Sequence, residues 1–166
     1  MTDLDDLSPF SVEEVGDDNL QALYTFWESL RGDRDAPMKG DLDPLAIPRS
    51  LLPQIALFDI EWDPDRVKLR LVGTQITTWF GKDCTGLYLD DPAYYPIGQQ
   101  QLPYFLQVAR TLRPHYLTAY APDNEQKYRN FARLLMPLQG DSGRSETLLA
   151  GYAMLPFDAN RFVMQD

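Results

Sequence analysis

A chain of 166 residues with a hydrophobic fraction of 44% can bury an apolar core as one domain, and its single cysteine gives it no internal disulfide to help. A net charge of −10 and a pI near 4.4 argue against a phosphate backbone or an anionic membrane as partner, because no basic stripe offsets the repulsion. No apolar run approaches the roughly 20 residues that span a bilayer, and the N-terminus lacks the basic and hydrophobic parts of a signal peptide, so a cytoplasmic protein with a reduced thiol is expected.

Much of the acidity is local. Residues 1–18 hold seven acids and no Lys or Arg, and 1–16 reads as a flexible acidic lead-in. Asp17 or Asp18 can then cap a helix, since a carboxylate accepts from the free N–H groups of a first turn. Leu20, Leu23, Trp27 and Leu30 recur at helical spacing, and Gly32 is placed to end the helix. This stripe serves either the chain's own sheet or a dimer interface, and Leu23, Trp27 and Leu30 are the interface candidates. Four prolines and Gly40 forbid long regular structure over 33–53, beyond a turn of helix begun at Pro44.

Residues 54–60 form an almost wholly apolar strand, which fits burial on both faces. After a turn at Asp63-Pro64-Asp65, residues 66–73 alternate, with Val67, Leu69 and Leu71 expected toward the core. Gly73 breaks that strand, Thr74 is placed to cap a short helix over 75–80, and Gly81 closes it. The tyrosine-rich stretch 87–98 reads as a loop or short helical turns. A helix should start at Pro103 and run to about 112, with Phe105, Leu106, Ala109 and Leu112 inward. Three strands follow over 115–121, 127–138 and 147–155, separated by polar turns. Two strands before the helices and three after imply an α+β fold, one five-stranded antiparallel sheet with helices closing one face around a small cavity. The domain spans 17–156, with a C-terminal tail over 157–166.

Few residues suggest chemistry. The only histidine, His115, sits at a helix-to-strand junction and has no nucleophile and orienting group beside it in a triad pattern. Asp90 and Asp91 are adjacent and point apart, and the glycines are spaced as turn formers, with no phosphate-binding motif. No catalytic residue and no metal site is assigned. Arg129 and Arg133 share one face of the fourth strand with Phe131 and Leu135, while Arg70 lies in the second strand. These arginines either pair on the outer sheet face with acids such as Glu28 and Asp43 or reach an anionic ligand. Arg70 and Arg133 are the anion-contact candidates, because a planar guanidinium matches a carboxylate or phosphate.

Trp27 and Leu30-Arg31-Gly32, Asp41-Leu42-Asp43-Pro44, Leu51-Leu52-Pro53, Leu69-Arg70-Leu71-Val72-Gly73-Thr74, Phe80-Gly81-Lys82-Asp83 and Met136-Pro137-Leu138 occur in an order and spacing that resembles a PAS domain. The chain is similar in particular to a bacterial group of stand-alone PAS proteins, over about residues 20–155. The resemblance implies a non-enzymatic sensory or signalling module that binds a small ligand or a protein and dimerises. Its output would act in trans on an unidentified signalling protein. It also implies a cavity, for which Leu69, Leu71, Trp79, Phe80, Phe105 and Tyr116 are the lining candidates. No cofactor is expected. His115 is the only histidine that could ligate haem, and Cys84, in GKDCTG, lacks the helix motif of flavin photochemistry. The alternative architecture is a small cone-shaped enzyme of the nuclear-transport-factor-like type with a pocket acid or base, in which the helices precede the whole sheet.

Overall fold

A computed structural model describes residues 9–94 and 98–158. Helix α1 (Asp18–Arg31) precedes strands β1 (Ile55–Glu61) and β2 (Arg66–Val72). Helices α2 (Thr74–Phe80) and α3 (Gly98–Thr111) follow, and then strands β3 (His115–Pro122), β4 (Tyr128–Gln139) and β5 (Ser145–Leu155). All strand pairs are antiparallel, in the spatial order β2-β1-β5-β4-β3. Because α2 and α3 interrupt the sheet after two strands, the helices-first cone of the alternative reading is not the architecture present.

Asp17 caps α1 by accepting from the Leu20 N–H at 3.0 Å. The stripe of α1 then lies on the outer face of the sheet, where Leu23, Tyr24 and Trp27 pack with Leu57, Leu134, Met136 and Leu149. The Trp27 indole N–H donates to the Pro137 carbonyl at 2.9 Å, tying α1 to β4. Leu23 and Trp27, offered as dimer contacts, are each only 1% exposed, because the chain's own sheet takes them. Leu30 is half-buried on the same helix. Part of the acidic lead-in is also docked. Val15 is fully buried, and Phe10 lies against the rings of Tyr24 and Tyr116. Acidic residues flank these two apolar positions, which is why they fall inside the stretch 1–16 that reads as a flexible lead-in.

Leu71 was expected inward and is 43% exposed. The cause is a bulge. Leu57 pairs with Leu71 and Phe58 with Leu69, so Arg70 has no partner residue and the alternation of β2 resets there. Val72, not Leu71, packs against the inner core with Val67 and Leu69.

Gly73, rather than Thr74, is the cap residue of α2. A Cβ there would meet the carbonyl oxygens of Pro53 and Leu52 at 2.3 and 2.4 Å, so only glycine lets the chain leave β2 against that backbone. Helix α3 starts at Gly98, one and a half turns before the expected Pro103, which sits inside it. Pro103, the sixth residue of α3, has no N–H to donate to the Gln99 carbonyl and so costs the helix one intrahelical bond. The inward residues of α3 are Phe105, Val108 and Ala109, with Leu106 partly buried and Leu112 beyond the helix end on the outer core.

Candidate functional site

The inner face of the sheet is laid out in rows across β3, β4 and β5. His115, Leu135 and Ala150 form one row, Leu117, Arg133 and Tyr152 the next, and Ala119, Phe131 and Met154 a third. Helix α3 crosses these rows and brings Gln101, Tyr104 and Phe105 over them. Gly98 makes that approach possible, since a Cβ there would lie 2.4 Å from the Tyr94 ring and 2.6 Å from the Leu89 carbonyl oxygen. A cavity of about 70 Å³ remains between the sheet and α3. Its walls are Leu117, Ala119, Phe131 and Tyr152 from the strands, Gln101 and Phe105 from α3, and Phe80, Leu89 and Tyr94 from α2 and the loop after it.

Arg133 projects into this space from the middle of β4 and is 7% exposed. One terminal nitrogen donates to the Gln101 side-chain carbonyl. The guanidinium lies 5.0 Å from the centre of the Phe105 ring and 5.9 Å from that of Tyr104, within the range of cation–π attraction. Its Nε and second terminal nitrogen are buried without a hydrogen-bond partner. No carboxylate among the described residues pairs with it. Burial pulls its pKa down while the Tyr152, Tyr94 and Tyr104 phenols oppose that, and a guanidinium stays cationic throughout the physiological range.

The neighbours are neutral. The His115 ring stacks on Tyr104 with centroids 5.3 Å apart, and burial, assisted by Arg133, lowers its pKa to about 4. Its Nδ1 is buried without a hydrogen-bond partner. Burial raises Tyr152 to about 12, against the attraction of Arg133, and holds Tyr94 well above the usual phenol range. At pH 7 the pocket therefore holds one net positive charge among aromatic and aliphatic walls. It offers two hydrogen-bond donors of a planar fork but no nucleophile–base pair. No cluster of three or more His, Cys, Asp or Glu among the described residues can hold a metal ion.

The expected site residues separate under this geometry. Phe80 and Phe105 line the cavity. Leu69 belongs to the inner core nearby, and Trp79 lies behind the wall, its ring 6.0 Å from that of Phe131. Leu71 faces away after the bulge. Tyr116 lies on the other face of the sheet, beneath α1, where its hydroxyl accepts from the Gly16 N–H at 3.1 Å. Arg70 is not in the cavity either: it pairs with Asp59 at 3.2 Å on the surface. Arg129 is held by Asp123 at 2.9 Å, not by Glu28 or Asp43. Arg133 faces α3, so the outer-face pairing does not apply to it. Gln101, Tyr94 and Tyr152 were not foreseen. Their one sequence signal is that Tyr152 sits in an apolar strand run directly across from Arg133.

A PAS domain family model matches residues 16–153. Among solved structures, the PAS domain of Bordetella pertussis BvgS is similar over 72% of this chain and 91% of that one, with 17% identity and a TM-score of 0.50. A fungal LOV domain photoreceptor is similar over 87% of this chain and 96% of its own, with 14% identity and a TM-score of 0.48. The N-terminal domain of a diguanylate cyclase with a PAS/PAC sensor from Marinobacter aquaeolei covers 61% of this chain and 94% of its own, with 14% identity and a TM-score of 0.43. No curated protein matches the sequence.

Proposed function

We propose that this chain, which belongs to the PAS domain family, is a non-enzymatic sensory module that takes a small ligand into the cavity between its sheet and α3. PAS domains are generally sensory modules. The observation that supports a ligand here is Arg133, two of whose three buried nitrogens have no partner among the described residues. Burying a cation and leaving its donors open costs several kcal/mol, a cost that packing alone would avoid with an apolar residue. A group with that cost, lining a cavity, is better explained as half of a binding site. Catalysis has no comparable support, since the one histidine is neutral, buried and stacked on Tyr104.

The signal would leave through contact with a second copy of the chain or with another signalling protein. Leu23 and Trp27 cannot supply that contact while they fill the outer core. No helix among the described residues is long and apolar enough to cross a membrane. A cytoplasmic setting suits a chain whose only thiol, Cys84, is buried and has no second cysteine.

Native mass spectrometry of the full chain tests the sensory reading. A small molecule that co-purifies with the protein and is absent from Arg133→Met is the expected result. An apo mass alone, together with no thermal shift across a panel of small metabolites, would overturn it.

A further inference from the structure

We infer, resting on the sensory reading above, that the ligand is a short-chain monocarboxylate held by the Arg133 fork, with its alkyl tail between α3 and the sheet. Three observations converge on that class. The first is charge. Arg133 is the one cation that lines the cavity, and no acid among the described residues neutralises it. The second is geometry. Nε and Nη2 are the open donors, and they lie along one edge of the planar guanidinium. Two donors so placed suit the two oxygens of a carboxylate, with Gln101 fixing the guanidinium from the remaining nitrogen. The third is the rest of the wall. Leu117, Ala119, Phe131 and Phe105 are apolar, and beside them stand only the neutral Tyr94 and Tyr152 phenols and the Gln101 amide, so no second cation balances the further charge of phosphate or sulfate.

Size narrows the class. One water needs roughly 10–15 Å³ of such space. A cavity of about 70 Å³ is on the scale of a small molecule such as a short-chain acid. A second carboxylate would have to be buried against aromatic walls without a partner cation, so dicarboxylates are rejected.

The test is a set of thermal melts of the full chain at fixed ionic strength with butyrate, butyramide, succinate and inorganic phosphate. Butyrate should raise the melting temperature in proportion to the logarithm of its concentration above the dissociation constant, by roughly 5–10 °C at a hundredfold excess. Butyramide, which keeps the shape and loses the charge, should give little shift, and succinate and phosphate none. Arg133→Met should fold and lose the butyrate shift. Arg133→Lys keeps a cation without the fork and should weaken butyrate at least tenfold, which covers the case in which the methionine variant does not fold. An unchanged butyrate shift in both variants would overturn the assignment. Equal shifts from butyramide and butyrate would overturn the carboxylate class while leaving a ligand-binding cavity in place. No shift from any of the four, with a different molecule retained in native mass spectrometry, would do the same. Failure of both experiments together would remove the sensory reading itself.

Discussion

On the outer face of the sheet, Leu23, Tyr24 and Trp27 meet Leu134, Met136 and Leu149, and the one buried indole N–H finds the Pro137 carbonyl. On the inner face, the alternate residues of the same strands put Arg133 and His115 under α3 beside a cavity, with three of their nitrogens unpartnered. Both faces are covered by a 14-residue amphipathic helix. The outer side has two buried polar side-chain atoms without a partner, Arg31 Nε on α1 and the Thr147 hydroxyl on β5, while the three on the inner face all belong to Arg133 and His115. Each orphaned group costs about 1–3 kcal/mol. On the inner face two of these atoms belong to a buried cation that lines a cavity, and that separates site from scaffold within one sheet.

The largest effect expected is on the scaffold side. Trp27→Ala removes a ring that is 1% exposed and stacked 6.0 Å from Tyr24, and should cost about 3–5 kcal/mol in urea unfolding. If the faces are independent, ligand-induced stabilisation should survive in the variant at temperatures where it is folded. A lost butyrate shift with the fold intact would break the comparison by coupling α1 to the cavity.

The next effect belongs to the inner face and is read by pH. His115 titrates near 4 in the folded chain against about 6.5 unfolded, so the unfolded state binds more protons between those values. Stability should therefore be full above pH 6.5 and fall as pH drops toward 4, by at most about 3 kcal/mol, less where solvent screens the ring. His115→Phe should flatten this window in melts taken at successive pH values. The buried aspartate Asp123 does not confuse the readout, since Arg129 depresses its pKa and its loss comes at lower pH. An unaltered slope in His115→Phe would mean that the inner-face histidine is not the group that titrates.

The backbone arrangement was legible because hydrophobic period and turn residues agree along most of the chain. Leu20, Leu23 and Trp27 announce α1, and all five strands lie within two residues of their expected bounds. The errors come from effects that are not periodic. The bulge at Arg70 flips Leu71 outward, and no residue type in 66–72 announces it. Pro103 marks a helix start by its chemistry, yet Gly98 admits the chain into the helix earlier because it must pass the Leu89 carbonyl. The cavity was only half legible. Phe80 and Phe105 could be placed from their elements, but Gln101 and Tyr94 come to Arg133 through the packing of α3, which sequence separation hides. Tyr116 was assigned to the wrong face for a simpler reason. On a strand covered on both sides, an aromatic residue is equally at home on either.

Arg70 and Arg133 looked alike in the sequence, and the smallest effect expected separates them. Arg70 sits at a bulge, directly available to Asp59 on the next strand, with 43% of its side chain exposed. Solvent screens such a pair, so Arg70→Ala should change stability by no more than about 0.5–1 kcal/mol. Arg133 lies instead in a run, Ala132 to Met136, whose neighbours on both faces are apolar and fully buried. A charged residue inside such a run must be buried, and that was the available signal. Arg133→Met removes a desolvated cation without a counter-charge and should leave the melting temperature equal or higher in the absence of ligand. Melts of the two variants with and without butyrate give the sharpest form of the contrast. Arg70→Ala should keep the ligand shift while Arg133→Met loses it, and the opposite pattern would move the site from the inner face to the surface of β2.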